Sequence, residues 1–255
     1  PAAAPPLHLI APAATLAAPC PGTDVWAPGG ASPEADTSEA GKSGPRPAVP
    51  HGAVGLSYVE SDSTMTLTDR YAEALAFAHE AHRGQVRKGT AIPYLSHLLA
   101  VSGLVLEHGG DEDQAIAGLL HDCVEDVGVH LREPIRERFG AGVLAIVDGL
   151  TDAVTQPKPP WRERKETYIE HLRTAPLPVL RVCAADKLHN LRCIRADYRV
   201  HGPALWQRFN AGPADTCWYY SAVTDTLAAA GAPDGLVNEL RDALAACAAA
   251  GVFEG

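Results

Sequence analysis

No apolar run in the 255-residue chain approaches the ~20 residues of a bilayer-crossing helix, so no membrane-spanning helix is expected. The six cysteines include no CxxC pair. That argues against a disulfide framework and against a thiolate metal site, and it favours reduced thiols in a cytoplasmic protein. Basic residues are outnumbered, 21 against 31, for a formal charge of −10. A surface of that sign disfavours general nucleic-acid binding. Phosphate-loop patterns and the G-x-S-x-G nucleophile elbow are missing. Methionine occurs once, as Met65.

What is present divides at that methionine. Residues 1–64 are rich in Pro, Ala, Gly and Ser and show no sustained hydrophobic period. Such a stretch buries too little apolar surface to offset the entropy of ordering it, so it is expected to be a disordered extension dispensable to the fold, or else Met65 is the natural start. Pro12 interrupts its one apolar segment and no Lys or Arg precedes it, a poor secretory signal. Residues 65–255 read as helix after helix, and an all-α domain is predicted. Helices are expected near 69–82 (capped by Thr68, with Ala72, Leu75, Ala78 and His82 on one face), 95–107, 112–126, 131–139 and 142–150. Others are expected near 162–173, 179–197, 215–230 and 235–249.

The central helix carries Leu120-His121-Asp122-Cys123-Val124-Glu125-Asp126. At 100° per residue, His121, Asp122, Glu125 and Asp126 share one broad face opposite Ile116, Leu119, Leu120, Cys123 and Val124. Three carboxylates this close repel one another, and a divalent metal among them is the usual remedy. Candidate ligands from separate elements are His97, His121, Asp122 and Asp186. Asp186 lies in an otherwise apolar helical stretch, where a carboxylate is costly unless metal-bound or paired, here with Lys187 or Arg181. Two His plus two Asp suit Mn²⁺, Fe²⁺ or Zn²⁺ better than Mg²⁺ or Ca²⁺. His79-Glu80-Ala81-His82 is not a zincin motif, because its histidines are three apart rather than four, and both are assigned structural or surface roles.

Further motifs accompany this stretch: His-Arg-Gly-Gln-Val-Arg-Lys (82–88), Pro-Tyr-Leu-Ser-His (93–97), Phe-Gly-Ala-Gly-Val (139–143), Gly-Leu-Thr (149–151) and Ala-Asp-Lys-Leu-His-Asn-Leu-Arg (185–192). In this order and spacing, residues 68–226 closely resemble the HD-domain hydrolases of the RelA/SpoT type. That resemblance implies a single HD-domain helical bundle that removes the 3′-pyrophosphate from guanosine 3′,5′-bis(diphosphate) and the corresponding pentaphosphate.

It also implies roles. The metal ligands fall on His97, His121, Asp122 and Asp186, with Mn²⁺ the usual metal and other divalent transition ions as alternatives. The catalytic acidic pair falls on Glu125 and Asp126. The substrate contacts fall on Arg87, Lys88, Asn190 and Tyr220, with Tyr219 as the alternative tyrosine. Two positions depart from the pattern: Val127 stands where Thr is common, and Asp152 where long bifunctional members carry Lys. No synthetase domain fits in this length, so the resemblance is to the small stand-alone group. The expected partner is a small nucleotide, with no nucleic acid and no membrane. Action on another nucleotide, or a catalytically silent nucleotide- and metal-binding module, are the alternative readings.

Overall fold

A computed structural model describes residues 66–152 and 157–254. The expectation for residues 1–64 therefore lies outside the described residues. Those described belong to one compact unit, Val59–Gly255, and are helical, with no strand among them beyond an isolated antiparallel bridge between Val86 and Pro93.

Nine α-helices follow one another among the described residues: α1 (Asp69–Ala81), α2 (Leu95–Glu107), α3 (Glu112–Leu120), α4 (Arg132–Phe139), α5 (Ala141–Leu150), α6 (Trp161–Leu172), α7 (Leu177–His201), α8 (Pro213–Ala229) and α9 (Asp234–Ala249). Side-chain caps start two of them. Thr68 accepts from the Arg70 amide at 3.3 Å, and Asp111 accepts from the Gln114 amide at 2.9 Å. The 25-residue α7 is the axis, packed on α2, α3, α5 and α9. Leu98, Val101 and Val105 of α2, Ile116 and Leu119 of α3, and Val182, Leu188 and Leu191 of α7 form its buried surroundings. Helices α2 and α3 approach closely at Gly118, where a Cβ would lie 3.0 Å from Ser102 Cα.

Three expectations are corrected. In α1 the buried stripe is Ala74 and Ala78, with Tyr71 and Leu75 partly buried, and Ala72 is exposed. A 3₁₀ segment, Gly202–Arg208, follows α7 in a stretch where no element is expected from the sequence, and α7 itself runs on to His201 rather than ending near 197. The central helix does not run unbroken over 112–126. It ends at Leu120, and after His121 and Asp122 the chain widens into a π turn, Cys123–Val127, closed by the Gly128 amide on Cys123 O at 3.1 Å. Gly128, at φ 147°, releases the chain. Single π turns of this kind are concentrated at functional sites.

Candidate active site

Helix α2, the end of α3 and the middle of α7 bring His97, His121 and Asp186 together, with ligand atoms all within 4.8 Å of one another. All three are buried. The His121 Nδ1–H donates to Gly118 O at 2.9 Å, which leaves Nε2 facing the cluster, and this buried atom has no hydrogen-bond partner. It lies 3.0 Å from Asp122 Oδ2 and 3.7 Å from Asp186 Oδ1. His97 repeats the arrangement. Its Nδ1 meets His189 Nδ1 at 2.7 Å, and its Nε2 lies 3.2 Å from Asp186 Oδ1 and 3.6 Å from Asp122 Oδ2. Two imidazole nitrogens and the Asp186 oxygen thus face one another with Asp122 Oδ2 beside the histidines, a donor set that would suit a divalent cation.

Electrostatics agree with a centre awaiting positive charge. Burial opposes ionisation of Asp122 and Asp186, but cationic neighbours outweigh it. His121 and His97 hold Asp122 below the usual carboxylate range, and Lys187 and the same histidines hold Asp186 well below it. Burial depresses His121, yet Asp122 and Asp186 outweigh it and raise that imidazole well above its ordinary value. Burial depresses His97, which Asp186 offsets only in part. Asp186 is further tied to Lys187 Nζ and Asn190 Nδ2, each at 2.5 Å, so the ion pair with Lys187 and a place in the cluster coexist. Arg181 is not a partner of Asp186; it donates to Gln114 instead.

Within the π turn, Glu125 and Asp126 diverge rather than share one face with His121 and Asp122. Glu125 faces the chain that follows α5. Its Oε1 pairs with Lys158 Nζ at 2.8 Å, and its Oε2 accepts the Asp152 amide at 3.3 Å. Asp126 faces the loop after α1, where Oδ2 accepts from Gln85 Nε2 at 3.0 Å. Desolvation and then Asp152 raise the Glu125 carboxyl; desolvation by the cleft walls and then Asp122 raise that of the solvent-accessible Asp126. Asp152, the departure from the long enzymes, is buried under Arg164 and Lys165, each 2.6 Å from its carboxylate.

These residues border two adjoining cavities that share Lys88, Asn190, Ile194, Phe209 and Tyr220. The larger, about 630 Å³, has Asp126, Arg87 and Tyr94 on its walls. The smaller, about 370 Å³, is lined by Glu125 and by Lys158, Arg164, Lys165 and Lys187. Arg87 Nη2 donates to Asn190 Oδ1 at 2.7 Å, linking the loop to α7, while Lys88 is exposed. Tyr220 borders both cavities and Tyr219 only the smaller, where its buried hydroxyl has no partner.

Three residues that support this arrangement escaped sequence reasoning. Tyr94 donates its hydroxyl to Asp122 Oδ2 at 2.6 Å and receives Arg87 over its ring at 5.5 Å. His189 braces His97, and Gln85 holds Asp126. Each lies inside a quoted motif, but its role depends on a partner 28, 92 or 41 residues away.

Similarity to known proteins agrees with this geometry. The HD-domain family matches residues 74–216, more than half of the chain. The chain belongs to the HD-domain family, in its RelA/SpoT-type branch. The guanosine-3′,5′-bis(diphosphate) 3′-pyrophosphohydrolase of Xenopus tropicalis is 39% identical over 140 residues, covering 54% of this chain and 73% of that one. The Haemophilus influenzae enzyme of the same activity is 34% identical over 123 residues, and only 17% of its length is covered. A solved metazoan ortholog of SpoT, described as hydrolysing ppGpp, superposes with a TM-score of 0.60 at 28% identity, covering 73% of this chain and 98% of that one.

Proposed function

We propose that the protein hydrolyses guanosine 3′,5′-bis(diphosphate), and the pentaphosphate, at the 3′ position and releases pyrophosphate. The observation that carries a metal-dependent hydrolase is the unpartnered, buried His121 Nε2 aimed at Asp122 and Asp186 beside His97. His97, His121, Asp122 and Asp186 would hold the metal, and Mn²⁺ suits the mixed nitrogen and oxygen set. A divalent ion there supplies Lewis acidity to a phosphoryl oxygen and lowers the pKa of a water.

The chain's own residues do the rest. Asp126 and Glu125, both with raised pKa, flank the cluster and take the proton of the attacking water. Water oxygen bonds to phosphorus, the bond from phosphorus to the 3′ oxygen breaks, and a proton returns to that oxygen. Arg87, Lys88, Asn190 and Tyr220 line the nucleotide's place, and the lysine-rich smaller cavity compensates phosphate charge in a protein of net charge −10. The relatives named above support this substrate. The test is incubation of the Mn²⁺-loaded protein with a nucleotide panel and identification of the products. Release of pyrophosphate from the bis(diphosphate) in preference to the other nucleotides is expected. Metal binding without turnover of any nucleotide would establish the silent-module alternative instead.

A further inference from the structure

We propose that His82 and Gln85 are positioning residues of this active site: a directed hydrogen-bond chain runs from the Cys123 thiol through His82 and Gln85 to Asp126 and fixes that carboxylate. The inference rests on the reading of Asp126 as a proton-handling group.

His82 follows α1 directly and is buried, its ring flat against Tyr94 with centroids 5.1 Å apart and 16° between planes. Its Nδ1 is 2.7 Å from Gln85 Oε1, and its Nε2 is 3.5 Å from Cys123 Sγ. Gln85 Nε2 in turn is 3.0 Å from Asp126 Oδ2. The chemistry of the end group sets the direction. A carboxylate only accepts, so Gln85 turns its NH₂ to Asp126 and its carbonyl oxygen to His82. That oxygen needs a donor, so the His82 proton sits on Nδ1. Nε2 is then bare and accepts the S–H of Cys123.

The two ends of the chain, Cys123 and Asp126, belong to the same π turn. The middle is locked by the backbone, with the Gln85 amide on His82 O at 3.0 Å and the Tyr94 amide on Gln85 O at 2.9 Å. With Oδ2 held by Gln85, rotation of the Asp126 carboxylate is restricted. The His82 ring also supports Tyr94, which donates to Asp122. One buried imidazole therefore braces Asp126 through Gln85 and the residues around Asp122 through its stacking contact with Tyr94.

The test uses Gln85→Glu, which replaces the donor with a repelling carboxylate on a half-exposed side chain, and His82→Phe, which keeps a ring on Tyr94 but removes both nitrogens. Each is made alone and together with Asp126→Asn, and assayed by pyrophosphate release from guanosine 3′,5′-bis(diphosphate). Each single variant is expected to lower kcat roughly 10-fold, as loss of an outer partner commonly does, with KM little changed. Neither should lower it further in the Asp126→Asn background. An equal loss in both backgrounds, or wild-type kcat in the singles, overturns the proposal. Wild-type kcat in Asp126→Asn alone overturns the reading of Asp126 instead. Independently of turnover, ¹⁵N spectra of the full chain with Zn²⁺ should show His82 as the Nδ1–H tautomer at pH 8. An Nε2–H tautomer breaks the chain whatever the activity.

Discussion

The floor of the cleft and its rim are built by opposite means. On the floor, His97, His121 and Asp186 come from packed helices, are buried, and have nearly every polar atom assigned. The one unpartnered nitrogen points at the centre of the cluster. At the rim, Arg87, Lys88 and Lys158 sit on connecting chain and are at most half-buried, with Arg87 bonded to Asn190 and Lys158 to Glu125. Buried charge is costly unless compensated, so the floor tolerates one arrangement. Exposed charge is screened, so the rim tolerates several. Changes to the floor should therefore abolish function, and changes to the rim should grade it.

The sharpest way to break this contrast is His121→Ala or Asp186→Ala. Both are expected to lose metal and turnover together. Asp186→Ala also strands Lys187 and Asn190, and breaking such a buried pair costs about 3–5 kcal/mol. Metal analysis and thermal unfolding decide this; full metal occupancy in both variants would remove these residues from the ligand set.

Glu125→Gln and Asp126→Asn probe the boundary between floor and rim. Each should keep the fold and most of the metal while kcat falls ~10²–10⁴-fold, the usual loss for a positioned proton acceptor. The pH profile sharpens the assignment. Both carboxyls titrate above their ordinary values, and a base acts only when ionised. Wild-type kcat should therefore fall as pH drops through a pKa above the usual carboxylate range. The limb that vanishes in one amide variant names the base.

Arg87→Ala should raise KM about 10-fold with a smaller fall in kcat, because a charge-assisted contact to phosphate is lost while the floor stays intact. Steady-state kinetics test this, and an unchanged KM would place substrate elsewhere. Lys158→Ala carries the smallest effect. Its partly exposed pair with Glu125 is worth ~0–1 kcal/mol of stability. Lys158 also opposes the upward pull of burial on Glu125, so its removal should move the acid limb of kcat to higher pH. An unmoved limb would take Glu125 out of the rate-determining protonation.

Several of these features were legible in the chain itself. Period and capping identified the helices, including Thr68 at the start of α1 and the termination of α2 at Glu107, because amphipathic spacing and cap chemistry are local. Charge crowding around His121 and an aspartate in apolar helix at 186 pointed to one cluster, because the cost of such groups does not depend on knowing the fold.

Tertiary structure decided which way those groups face. The π turn at 123–127 has no residue signature, yet it helps direct Glu125 to Lys158 and Asp126 to Gln85. Burial of Ala74 in place of Ala72 depended on where α3 lies against α1. The pairings of Tyr94 with Asp122, His189 with His97 and Arg87 with Asn190 join residues 28 to 103 apart. A hydrogen bond needs its two atoms within about 3 Å, and only the packing of α7 against α2 and α3 brings most of these partners that close.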